Sequence, residues 1–137
     1  MNAEQLRAAD AAVATALWPN GAWWCPACEE PLACDEVTYD KKHDEKSGGC
    51  GSVVLPLDPV SGSNWALWGE MIEALVGVPG TDFGFGHIDL GWFAAARPGT
   101  SGPTQHFYPT HTLGLALYRA GVAAGLWPDV ETKEETQ

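Results

Sequence analysis

Positive charge is scarce in this chain. Seven lysines and arginines stand against 18 aspartates and glutamates, a formal net charge of −11 over 137 residues. Duplex nucleic acid is held by neutralising its phosphates with a basic face, and seven scattered cations cannot build one. A small anion is not excluded, because one or two placed arginines suffice for it. Long apolar runs are also missing, and none approaches the roughly 20 residues of a membrane span. Residues 1–17 carry Glu4, Arg7 and Asp10 among alanines, not the basic-then-apolar order of a secretory signal. The expected setting is therefore intracellular. Phosphate loops, nucleophile elbows and HExxH patterns are absent, so nothing in the sequence points to catalysis. Cysteine is absent after residue 50.

What is present suits one domain spanning 1–137, with 45% apolar residues to build a core. Residues 2–17 place Leu6, Ala9, Val13, Ala16 and Leu17 at near-helical spacing, and Trp18-Pro19-Asn20-Gly21 stops the helix. A cysteine-bearing insert, 22–57, follows, and its end, Ser52–Leu57 with Val53-Val54, reads as a returning strand. The core, 58–128, opens with a helix marked by Trp65, Trp68, Ile72, Leu75 and Val76, capped by Ser63 or Asn64 and ended by Gly77. Asp82–Ile88 and Gly91–Arg97 then alternate as two strands turning at Asp89-Leu90. After the loop Pro98–Pro103, Gln105–Tyr108 suits a short edge strand that stops at Pro109. Thr112–Trp127 reads as a last helix interrupted by Gly121 and Gly125, and 129–137 as a flexible acidic tail. Helices with a small antiparallel sheet make an α+β fold, an α/β/α-like sandwich carrying a zinc-ribbon-like insert.

Cys25-Pro26-Ala27-Cys28 is the chemical centre of the sequence. Two thiolates two residues apart grip one metal ion from a tight turn, the usual half of a structural zinc site. Between Glu29 and Lys46 the insert holds seven acidic and three basic residues, and so little apolar matter that it needs a staple. Ser47-Gly48-Gly49-Cys50-Gly51 has the form of a second knuckle with Ser47 in place of its first cysteine. Cys50 is the expected third ligand. Cys34, the better thiolate donor, is the expected fourth, with His43 the alternative. A redox pair is disfavoured because Glu29, Glu30 and Pro31 follow directly, with no thioredoxin-like surroundings.

Other candidates are weaker. His87 and Asp89 lie on one side of a strand, and His106 and His111 flank Pro109, all readable as ordinary strand or loop residues. Arg97 beside a glycine-rich loop and Arg119 on the last helix suit either an ion pair or the bidentate grip of an anion. Phe83, Phe85 and Trp92 on the hairpin offer flat faces for stacking, or simply core.

From Asn64 onward the chain resembles the phage ABA sandwich domain family of small bacteriophage proteins. The resemblance rests on Asn64-Trp65-Ala66, Gly91-Trp92-Phe93-Ala94 and Leu117-Tyr118-Arg119-Ala120, and covers about half the chain. Tyr118 stands where the family commonly has cysteine. The resemblance implies a non-catalytic viral accessory protein in the host cytoplasm. It also implies a distant similarity to phage sponges that sequester cyclic nucleotide signals. By position, Arg119 would then meet the phosphates and Trp92 or Phe85 would stack on the base. The alternative expectation is an acidic interaction module that engages a host protein, in either case with structural zinc and with self-association left open.

Overall fold

A computed structural model describes residues 1–88, 91–98, 105–110 and 112–131. The expected turn at Asp89-Leu90, the loop 99–103, His111 and the tail 132–137 lie outside the described residues, as do the side chains of Ile88 and His106.

The fold is α+β, with three α-helices and two small antiparallel sheets among the described residues. Helix α1 (Ala3–Leu17) opens on a capping box, in which the Asn2 side chain accepts from the Gln5 amide and Gln5 returns the bond to Asn2. The insert forms the first sheet, β1 (Trp23–Cys25), β2 (Glu30–Leu32) and β3 (Leu55–Pro56), ordered β2-β1-β3. β3 lies within the returning strand expected over Ser52–Leu57, whereas β1 and β2, of three residues each, are too short for periodicity to reveal. Val53 and Val54 precede β3 rather than form it, Val53 being bridged only to Lys42.

Helix α2 (Trp65–Val76) is capped by Asn64, whose side chain accepts from the Ala66 amide. The second sheet, β4-β5-β6, comprises β4 (Thr81–Ile88), β5 (Gly91–Pro98) and β6 (Gln105–Thr110). Strand β6 runs on through Pro109, a residue sheets accept at an edge because no ladder donor is lost there. Helix α3 (Leu113–Ala123) is shorter than the expected 112–127. It closes in a Schellman motif, with the Leu126 amide donating to Gly121 and the Gly125 amide to Val122, and Gly125 at φ +79°.

The core lies between α3 and the second sheet. Ala94 and Ala96 of β5 are buried against it, as are Ala9 and Val13 of α1 and Trp68, Met71 and Leu75 of α2. Residues 113–118, 120 and 121 of α3 are all buried, so α3 is a central helix rather than an amphipathic cover. A three-residue stretch ties the helices together. Asp10 of α1 accepts from the Val60 and Ser61 amides, Trp68 Nε1 donates to the Pro59 carbonyl, and Thr112 Oγ1 donates to the Val60 carbonyl.

The beginning of the acidic tail is not loose, contrary to expectation. Tyr118 donates to the Pro128 carbonyl and accepts from the Val130 amide, each at 2.8 Å, while Glu131 pairs with Arg119.

Candidate metal centre

Two chain reversals build the centre. At the end of β1, the Glu29 amide closes on the Cys25 carbonyl and Glu29 takes a left-handed φ of 55°. This turns the Cys28 amide toward Cys25 Sγ at 3.4 Å, the amide-to-sulfur geometry of a metal knuckle. In the second reversal the His43 amide donates to Ser52, and the Gly51 amide returns a bond to His43. Gly48, at φ +91°, ends a short 3-10 turn over Glu45–Ser47. A side chain at Gly49 would collide with the His43 ring, so glycine is what lets this imidazole lie against the loop.

Together the reversals gather Cys25, Cys28, His43 and Cys50, whose donor atoms all lie within 4.8 Å of one another. Cys25 Sγ is 3.4 Å from Cys50 Sγ, and His43 Nδ1 is 3.6 Å from both Cys28 Sγ and Cys50 Sγ. Bonds of about 2.3 Å to sulfur and 2.0 Å to nitrogen at tetrahedral angles imply edges of roughly 3.8 Å between sulfurs and 3.5 Å between sulfur and nitrogen. These three spacings lie within about 0.4 Å of such edges, close enough for one ion to draw the donors together. A disulfide would need about 2.05 Å between sulfurs, and all four cysteines are free. Cys25 and His43 are buried, whereas Cys28 and Cys50 face outward.

The electrostatics reflect this crowding. The Cys50 thiol is pulled down to about 6, chiefly by hydrogen bonds from Ser52 and then by Cys25 and His43. The Cys28 thiol is pushed up to about 12, first by its hydrogen bonds to Cys50 and Cys25 and then by partial burial and their charge. Neighbouring thiols that share protons resist full ionisation. A divalent cation among them reverses that logic and lets every sulfur ionise.

Cys34 is the correction. It is exposed and lies outside the group, and His43 occupies the place expected for it. The hairpin explains why. Cys25 pairs with Glu30 and Trp23 with Leu32, so β2 carries the chain away from the Cys25 end. β2 runs to Leu32, opposite Trp23, and Cys34 opens the 3-10 turn beyond it, past the far end of the hairpin from Cys25. Donor softness ranked Cys34 first, but the chain direction decides. Ser47, at the vacated knuckle position, instead donates to the Asp44 carbonyl. The sequence signal for His43 was its place as the insert's sole histidine, seven residues before Cys50 and followed by the Gly48-Gly49 pair.

The expected anion site does not assemble as one set. Paired positions share a face, and Trp92 lies opposite His87, Ala94 opposite Phe85, and Ala96 opposite Phe83. Phe85 and Trp92 are therefore on the core side of the sheet, with buried Ala94 and Ala96. Arg97, opposite Asp82, points to the other side. Arg119 donates to Glu131 through Nε at 3.0 Å, with Nη2 at 2.9 Å from the same oxygen. Trp92 packs against Trp65, Trp68 and His87, with ring centroids 5.7, 6.0 and 4.8 Å away. Phe85 stacks on Phe83.

No described helix is long and apolar enough to cross a membrane. No family model matches the chain, and neither a curated protein nor a solved structure matches it.

Proposed function

We propose that this chain is a structural zinc protein that works as an acidic interaction module. The observation that carries the reading is the closed donor set Cys25, Cys28, His43 and Cys50. Four protein ligands fill a tetrahedral zinc ion, whereas a catalytic ion keeps one position for water or substrate. The ion's part is then to hold the insert, and the surface does the work. That surface carries net charge −11, which favours a partner with a basic face through complementary potentials and fast encounter. In the setting implied by the phage resemblance, the partner is a host protein. The cyclic-nucleotide reading draws less support, because Arg97 and the hairpin aromatics are on opposite faces of the sheet and Arg119 is engaged by Glu131.

Metal analysis of the purified protein tests the site, with about one zinc per chain expected. His43→Ala should lower zinc content, and Cys34→Ser should leave it unchanged. Full zinc in His43→Ala together with loss in Cys34→Ser would overturn the ligand set. Partner binding should weaken steeply between low and high salt, and a salt-insensitive partner would argue against an acidic contact face.

A further inference from the structure

The donor set is closed around an ion but not sealed from solvent. Cys25 is buried, and its sulfur accepts the Cys28 amide. Cys28 and Cys50 are exposed. A cysteine that ligates a metal does so as a thiolate, and a solvent-accessible thiolate is the form of cysteine that reacts with oxidants.

A sulfur contact adds to this exposure. Cys50 Sγ lies 3.4 Å from Cys25 Sγ, across 25 residues of chain. An approach of about 1.4 Å would bring the pair to disulfide length. The two sulfurs come from different reversals, so a bond between them would join the turn after β1 to the loop that follows His43. Cys34 stands apart from this chemistry. It is exposed and opens the 3-10 turn past the far end of the hairpin from Cys25.

We propose that the site is a peroxide-responsive switch in which Cys25 and Cys50 exchange a shared metal ion for a disulfide. The proposal rests on the zinc reading above and adds regulation to it. The Cys50 thiolate attacks one oxygen of hydrogen peroxide, so that an S–O bond forms, the O–O bond breaks and hydroxide leaves. The Cys25 thiolate then attacks the Cys50 sulfur, forming the S–S bond and expelling a second hydroxide. The two sulfurs give up two electrons, peroxide receives both, and each hydroxide takes a proton from solvent. Cys28 and His43 are then the only donors left of the set, two where tetrahedral zinc needs four. The ion is released, while the insert keeps one covalent link between its reversals. Seven of the chain's 18 carboxylates lie between Glu29 and Glu45, so the exchange rearranges a large part of the acidic surface offered to a partner. A dithiol reductant reverses it, becoming a disulfide itself as it returns both thiols to the site.

Hydrogen peroxide added to the full, zinc-loaded chain tests the proposal. Released zinc is read with a metallochromic indicator, and the cysteines are mapped by alkylation and mass spectrometry. At about one equivalent of peroxide, zinc should leave with Cys25 linked to Cys50 and with Cys28 and Cys34 still alkylated. Cys34→Ser should release zinc at an unchanged rate, and a dithiol with added zinc should restore the loaded form. Zinc held while Cys34 oxidises would overturn the switch and leave the metal site standing. Release with Cys25 or Cys50 still alkylated, or release that a dithiol and zinc do not reverse, would also overturn it. A chain that binds no zinc at the outset would overturn the metal reading itself, and the switch with it.

Discussion

Removing the metal should unfold the insert and leave the helical core standing. The insert's own apolar cluster holds Cys25, Leu32 and Val54, with Trp23 and Val37 packed on it. Burying two aliphatic side chains contributes about 3–6 kcal/mol. Ordering the chain costs about 1–2 kcal/mol per residue, so that gain covers only a few of residues 22–57. A structural zinc ion contributes roughly 10–16 kcal/mol in small zinc-folded units, comparable to the whole stability of an ordinary domain, about 5–15 kcal/mol. The principal core, by contrast, contains no residue between Trp18 and Pro59. The expected result of chelation is therefore local unfolding. Hydrogen exchange reads it directly. The amides of Ala22, His43 and Val54, bonded to Leu32, Ser52 and Lys41, should lose protection, while α3 amides keep theirs. Tryptophan emission should shift red, because Trp24 leaves its place against Trp18, where the rings lie 6.2 Å apart. Insert amides that stay protected in verified metal-free protein would refute the reasoning, and equal loss in α3 would refute the independence of the core.

Two further predictions concern the core. Gly114→Ala would drive a methyl group onto the Pro59 carbonyl oxygen and against the Trp68 indole, so a loss of about 1–3 kcal/mol or more is expected in denaturant titration. Gly69→Ala, on the exposed side of α2 with nothing nearby, should instead gain about 0.5–1 kcal/mol, and the opposite order would contradict the packing described at α3. Asp58 has its carboxyl held above the usual range by partial burial and then by the charge of Asp10. A raised carboxyl in the folded state costs stability as pH climbs from its ordinary value of 3.8 through the raised one. Asp58→Asn should thus be the more stable form at pH 7, by less than about 1 kcal/mol given its solvent access. That advantage should fade as pH falls below about 4, where the Asp58 carboxyl takes up its proton in the folded and unfolded chain alike. An advantage that persists in acid would show that some other contact is responsible.

The long elements were legible in the sequence because their periodicity is strong. Trp65 to Val76 and the paired strands around Phe83–Phe85 and Trp92–Arg97 fall where spacing, Asn64 and Gly77 placed them. The last helix was overrun because Trp127 continues the apolar spacing after the helix has ended. Trp127 instead folds back, covers Gly121 and donates to the Tyr118 carbonyl. Three metal ligands were legible from knuckle spacing. The fourth was narrowed to Cys34 or His43 but the choice between them was not legible, because the hairpin that separates Cys34 from Cys25 is made of strands too short to show periodicity. Arg119 posed a similar limit: spacing puts it on α3, but only the returning segment shows that Glu131 meets it.

The central position of α3 has a consequence for how the chain acquires its shape during synthesis. The four metal donors lie within residues 25–50, so the insert can close around an ion while most of the core is still inside the ribosome. The sheet and α2 must wait for α3, which follows them in the chain and packs against both. Its latch, Trp127 and residues 128–131, arrives later still. The metal unit can thus form before the core, which needs a helix that follows it in the chain. The metal unit answers to ion supply, and the core answers to the arrival of α3 and its latch.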